Sequence, residues 1–295
     1  MKKILIIILF SFTLTQVTTD LTFNTSRTIS MVGAAVSDPG FVESVFINPA
    51  GLSQISDMEL SFGGTEFYSL DFINYSYLSF VFPNEIGNFG ISIQQLGVKS
   101  PDYFNYLSFE SALSISQGFS LLKDKNSTLD LGYTFNLYSI GQAGSAGFSG
   151  DGTDGLPDQQ INTYGIDIGI LTSLRDKVKI GAFIKNINSP SIGKGSSLQY
   201  LPRKLSIGFS YIPNKKLSSH FNLERLLGYE DLHFRFGFEY IFNKMFAMRS
   251  GIQMKPNCIG LGFDVSPIEL LTISFGIMTG PVMPTTQNIE FKFKL

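Results

Sequence analysis

The sequence predicts an all-β protein, a transmembrane antiparallel β-barrel of about fourteen strands preceded by an N-terminal hatch or plug segment. Three observations carry that expectation. Charge is scarce: 16% of the 295 residues are charged and 43% are hydrophobic, with a mean hydropathy of +0.15, where a soluble domain usually carries about 25% charged residues. From Met58 to Leu295, apolar and polar residues alternate with period two, the mark of strands with two unlike faces. Beyond the first residues no apolar run approaches the ~20 residues that a spanning helix needs. A closed barrel is the other architecture that satisfies every backbone group in lipid.

Residues 1–19 read as a secretory leader, because Met1-Lys2-Lys3 precedes the short apolar run Ile4 to Leu14. No cysteine lies there to carry a lipid anchor. Cys258 is the single cysteine of the chain, so an exported product has no intramolecular disulfide to rely on.

Residues 20–57 read as the hatch. Asp38-Pro39-Gly40 is a turn signal, and Pro49 forbids a central strand pairing at its position. The segment is rich in small residues at Gly33-Ala34-Ala35 and closes with Asn48-Pro49-Ala50-Gly51-Leu52. Its apolar Val32, Val36, Phe41, Val45, Phe46 and Leu52 call for burial against the inner wall of a barrel.

Residues 58–295 read as the barrel. Strand segments lie near 58–68, 72–82, 88–96, 104–116, 128–140, 161–171, 177–187, 204–211, 217–225, 232–240, 244–252, 258–264, 270–277 and 288–295. The clearest alternation runs from Leu129 to Leu137, where Leu129, Leu131, Tyr133, Phe135 and Leu137 share one face and Asp130, Gly132, Thr134 and Asn136 the other. Across the segments the second face is dominated by Gly, Ser, Thr and Asn rather than by the Lys and Glu of a water-exposed sheet. That composition suits a crowded lumen, with Asp130, Asn136, Asp167, His233, Arg235, Glu239 and Arg249 as lumen-facing candidates. The 28 Phe and 12 Tyr suit a lipid-facing belt with aromatic girdles. A soluble secreted β-sandwich used for adhesion is the rival fold, since alternation alone also fits it.

The connections fall into two sets. Asp176-Lys177, Pro213-Asn214-Lys215 and Asn243-Lys244 are tight and polar, whereas Gly141 to Gln160 is long and glycine-rich. Short turns belong to the periplasmic rim and long loops to the outside.

Several functions are disfavoured by what the residues lack. A net charge of −2 with no basic cluster gives nucleic acid nothing to bind. Within the long loop, Asp151 to Asp158 looks like a calcium loop, but Gly150 and Gly152 stand where its first carboxylates belong. His220 and His233 are the only histidines, no Gly-x-Ser-x-Gly surrounds a serine, and Ser219 and His220 point to opposite faces of a strand. We therefore expect no catalytic site, no metal site and no cofactor.

In this setting the hatch peptide Asn48-Pro49-Ala50-Gly51-Leu52 resembles the N-terminal hatch of FadL-like outer-membrane barrels, and more closely that of the PorV/PorQ family. Gly165-Ile-Asp167-Ile-Gly169 with Lys179 to Ile187, Leu201 to Gly208, and Phe236 to Tyr240 with Ala247 to Gly251 and Gly260 to Phe263 resemble later strands of the same family. The likeness spans about residues 30 to 295 and rests on barrel grammar more than on chemistry. It implies residence in the outer membrane of a Gram-negative-type bacterium and a non-enzymatic role as an accessory or transport component of type IX-like protein secretion. A FadL-like channel for hydrophobic small molecules is the alternative. The implied partners are outer-membrane lipid, with secretion-system proteins or hydrophobic solutes.

Overall fold

The computed structural model describes residues 24–38, 40–100, 106–145, 147, 154–193, 198–228, 230–281 and 284–295. The leader expected over 1–19 lies outside these residues. Fourteen strands close into one antiparallel barrel. In chain order they are β1 (Glu59–Glu66), β2 (Ile73–Phe82), β3 (Asn88–Lys99), β4 (Tyr106–Lys123), β5 (Ser127–Gln142), β6 (Gln159–Leu174) and β7 (Val178–Lys185), then, after a small hairpin β8 (Ser191–Ile192) and β9 (Gln199–Tyr200), β10 (Arg203–Asn214), β11 (Leu217–Leu227), β12 (Leu232–Asn243), β13 (Phe246–Met254), β14 (Cys258–Ile268), β15 (Leu271–Thr279) and β16 (Thr286–Lys294). Each barrel strand pairs with its neighbours in sequence except at β7, which pairs with β10, and the ring closes where β1 meets β16. Closure removes every edge, which lipid would otherwise penalise at each unpaired amide.

Alternation decides which side chains meet lipid. Register pairs Phe135 with Ile115 and with Ile166, all on the outer face, and outward rings stack across strands, Phe62 on Phe291 at 5.4 Å and Phe82 on Phe89 at 5.5 Å. Such cross-strand pairs on one face are the unit that stabilises a sheet. Among the described residues no helix is long and apolar enough to cross a membrane.

The two rims differ as the turn chemistry requires. At one rim Arg175 and Asp176 both take a φ of +52°, as a type I′ hairpin turn demands, and the Lys177 amide donates back to the Leu174 carbonyl at 3.1 Å. At the other rim β4, β5 and β6 run 18, 16 and 16 residues, beyond the ~9–11 that cross a bilayer. Because β5 and β6 keep pairing past the bilayer, the long connection shrinks to 143–158 from the 141–160 expected. Asp158 serves a turn there, its carboxylate accepting from the Gly144 amide at 2.6 Å; Asp151 lies outside the described residues. The hairpin β8–β9 was not legible in the sequence, since two-residue strands show no period.

Residues 24–57 run inside the barrel as two short helices, α1 (Ser26–Ser30) and α2 (Ser44–Ile47), and a 3₁₀ turn, Pro49–Gln54. The apolar core of the molecule lies between this segment and the wall: Val42, Val45, Leu52 and Ile55 pack with Val81 of β2, and Ile29 and Val32 with Cys258 and Met278.

Candidate functional site

The site is the lumen, and its floor is the hatch. Each bend of the hatch has a local cause. Thr25 and Thr28 form a reciprocal capping box that starts α1. The helix ends in a Schellman motif, with the Gly33 amide donating to Thr28 O at 2.7 Å and the Val32 amide to Ile29 O at 3.2 Å. That motif puts Val32 at a φ of +50°, a conformation a β-branched residue resists; burial of Val32 among Ile29, Cys258 and Met278 offsets the strain. In Asn48-Pro49-Ala50-Gly51-Leu52, Asn48 caps the 3₁₀ turn by accepting from the Ala50 amide at 3.2 Å, and Pro49 occupies the first helical position. The Asn48 side-chain amide Nδ2 then donates to Val36 O within the hatch at 2.9 Å and to Ile170 O of β6 at 3.1 Å.

Two buried charge clusters tie the hatch to the wall. Arg27 makes a bidentate contact with Glu239 of β12 at 3.0 and 2.9 Å and pairs with Asp38 of the hatch. Glu239 also accepts from Arg249 of β13 at 2.8 Å, and Arg249 pairs with Asp264 of β14. Beside it on the same stretch of wall Glu43 pairs with Lys292 of β16, whose neighbour Glu290 accepts from Ser26 at 2.6 Å and Ser61 at 2.7 Å. Charges this deeply placed cost several kcal/mol each to desolvate, so pairing is a condition of their burial. Arg27 also sits 3.9 Å over the ring of Phe41, and Gln54 donates to Asp130 of β5 at 3.0 Å.

The wall is shaped to receive this segment. Register aligns Gly118, Gly132 and Gly169 across β4, β5 and β6, where an added Cβ would strike Pro49, Leu52 or Asn48. Gly237, Gly251 and Gly260 align across β12, β13 and β14 in the same way beneath Met31 and Ile29. The hatch backbone lies where wall side chains would otherwise be.

On the long-loop side of the hatch a cavity of about 80 Å³ remains. Val36, Val45, Phe46 and Ile47 of the hatch form its apolar floor, and Leu96, Ile140, Phe183 and Pro202 extend the apolar lining onto the wall. The facing wall is polar. There Asp167 accepts from the Asn186 amide at 2.7 Å and from Asn136 at 2.8 Å, Asn136 accepts from Ser114 at 2.6 Å, and Tyr138 donates to Asn186 at 3.0 Å.

One serine–histidine contact arises that sequence reading missed. His220 lies 2.7 Å from Ser210, its register partner on β10, and 2.8 Å from Ser218, because residues two apart on β11 share a face. Ser210 in turn meets Ser37 of the hatch at 2.7 Å and is fully buried. With the hatch covering it, this cluster anchors the segment and leaves no room for a substrate. Among the described residues no group of three His, Cys, Asp or Glu is placed to hold a metal ion.

The lumen-facing candidates separate in space. Asp130 and Glu239 hold the hatch and Arg249 braces Glu239, while Asn136 and Asp167 line the cavity. Arg235 belongs to a wall ladder, donating to Gln253 at 2.7 Å and lying 2.8 Å from Glu224. His233 sits half-exposed at the long-loop rim, 2.8 Å from Lys255 O. Alternation does not mark Arg27, Asp38 and Glu43, which lie in an aperiodic segment whose wall contacts are distant in sequence. Lys185 was readable from the alternation of β7, where it shares the lumenal face with Gly181 and Phe183.

These features define the class: a 14-stranded transmembrane barrel with an apolar exterior and an N-terminal segment folded into its lumen. No family model matches the chain, and no curated protein matches it in sequence. Its fold matches solved structures over nearly its whole length. The Ralstonia pickettii toluene transporter TbuX aligns at 13% identity, covering 94% of this chain and 99% of that one with a TM-score of 0.65. The monoaromatic hydrocarbon channel CymD aligns at 12% identity, covering 94% and 99% with a TM-score of 0.68. A Pseudomonas aeruginosa FadL homologue aligns at 11% identity, covering 92% and 98% with a TM-score of 0.58. The chain has the FadL-like fold, a closed antiparallel barrel of fourteen strands.

Proposed function

We propose that this barrel is a non-enzymatic channel carrying small hydrophobic molecules across the outer membrane, with residues 24–57 as its plug. The cavity on the long-loop side carries the reading, because its floor is the apolar face of Val36, Val45, Phe46 and Ile47 on the very segment that fills the lumen. A molecule seated there touches the element whose movement opens a path. The fold shared with structures described as toluene transporters and monoaromatic hydrocarbon channels supports the same reading. A secretion accessory of PorV/PorQ type rests on the sequence resemblance, and nothing in the cavity adds to it.

The test uses Ser37 and Ser210, whose hydroxyl oxygens are 2.7 Å apart across the hatch–wall boundary. In a Cys258→Ser background, Ser37→Cys with Ser210→Cys would tie the plug to β10. Radiolabelled toluene should enter cells bearing the reduced double variant faster than cells lacking the barrel, fall on oxidation and return with reductant. Uptake equal to that of barrel-free cells overturns the channel. Uptake indifferent to a verified disulfide overturns the plug.

A further inference from the structure

The cavity is not built for a bare hydrocarbon. Its lining carries Lys185 and Lys204 together with Glu110, Asp167 and Glu224. Glu224 is engaged, lying 2.8 Å from Arg235, 3.8 Å from Lys204 and 3.1 Å from the Ser206 hydroxyl that donates to it. Lys185 differs: among the described residues its ammonium makes no hydrogen bond or ion pair, and it lies across from Asp167 on the lumenal face of the β6–β7 ladder, one step beyond the Ile168–Ile184 pair. Asp167 is held in place by Asn136 and the Asn186 amide, which leaves acceptor capacity on a carboxylate that can serve about four donors. The cavity thus presents a fixed acceptor and a free donor side by side on its polar wall, opposite the apolar floor of Phe46, Val45 and Ile47.

We infer that the preferred ligand is a small neutral molecule with an apolar body and a hydroxyl head, the hydroxyl donating to Asp167 and accepting from Lys185. This deepens the channel reading and rests on it. A hydroxyl is the smallest group that is donor and acceptor at once. An anionic head is disfavoured, because carboxylates outnumber lysines in the lining. A hydrocarbon must strip water from both charged groups and return nothing, the situation in which a polar site rejects an analogue that lacks the polar group. Size restricts the body: at ~10–15 Å³ per water-sized centre, a cavity of about 80 Å³ holds a single ring with one substituent. Phe46, Tyr138 and Phe183 supply aromatic surface for such a ring.

Binding of toluene, benzyl alcohol and benzoate to the detergent-solubilised full chain, measured by calorimetry, tests this. Benzyl alcohol should bind about tenfold more tightly than toluene, the factor that one hydrogen bond to a charged partner supplies. Benzoate should bind more weakly than benzyl alcohol. Lys185→Met should abolish the preference for benzyl alcohol over toluene. Toluene binding as tightly as benzyl alcohol, or a preference that survives both Lys185→Met and Asp167→Asn, overturns the inference while the channel stands. If none of the three binds and toluene uptake also fails, the channel reading falls and takes the inference with it.

Discussion

Glu239 holds two arginines at once, Arg27 from the hatch and Arg249 from the next strand, and its side chain is about 10% exposed. Glu239→Gln keeps the shape but removes the carboxylate that both guanidinium groups share, leaving Arg27 to Asp38 and Arg249 to Asp264. Breaking a buried pair on one side costs up to about 3–5 kcal/mol. We expect the heat-modifiable band of the folded barrel to convert at a lower temperature on electrophoresis. An unchanged transition would mean that water already screens this cluster. Glu239 was placed on the lumenal face by the alternation of Phe234, Phe236 and Phe238; its partner Arg27 lies 212 residues away, a pairing that no local pattern encodes.

At the scale of elements, strand and hatch are fitted to each other through wall glycines. Gly132 faces the Pro49–Ala50 backbone so closely that any Cβ would displace it, whereas Gly64 points outward, with an added Cβ 3.4 Å from Tyr75 O. Gly132→Leu should therefore expel the hatch and spare the barrel, since its strand neighbours Gly118 and Gly169 still pair with it through the backbone. Arg27, buried in the parent chain, should become a trypsin site in Gly132→Leu, and ion conductance in planar bilayers should rise. Gly64→Ala should change neither. Conductance that stays at the parent level with Arg27 cleaved would show that the hatch leaves without opening a path. Deleting residues 31–53 examines the same point from the other side, with a folded, conducting barrel as the expected product.

The molecule as a whole is turned inside out relative to a soluble protein, with polar side chains buried and large apolar ones outside. Phe135 is 39% exposed and Ile115 49% exposed on the outer face, while Asp130, Ser116 and Thr134 are buried. Lipid is the solvent that makes this arrangement stable. Phe135→Arg should destabilise the barrel by roughly 2–4 kcal/mol in lipid vesicles, and Met245→Arg, in an exposed turn, should be neutral; equal tolerance at the two positions would contradict a membrane barrel. Orientation follows from the rims. An epitope inserted after Leu156, in the long connection between β5 and β6, should label on intact cells. Labelling confined to permeabilised cells would reverse the topology.

Period-two alternation alone determined the strands, because a barrel wall imposes two solvents on the two faces of each strand, and the contrast is written locally, residue by residue. The same contrast puts Asp130, Asn136, Asp167, Glu239 and Arg249 on the polar face of their strands. Their division of labour was decided only by closure of the ring. Closure brings β12 to β14 around Arg27, β16 to Glu43, and β6 with β7 around the cavity. Those groupings depend on how an aperiodic segment fills a space whose shape exists only after fourteen strands have paired. Its contacts are long-range and its bends are set by caps and prolines, so the sequence marks where the hatch turns but not what each turn touches.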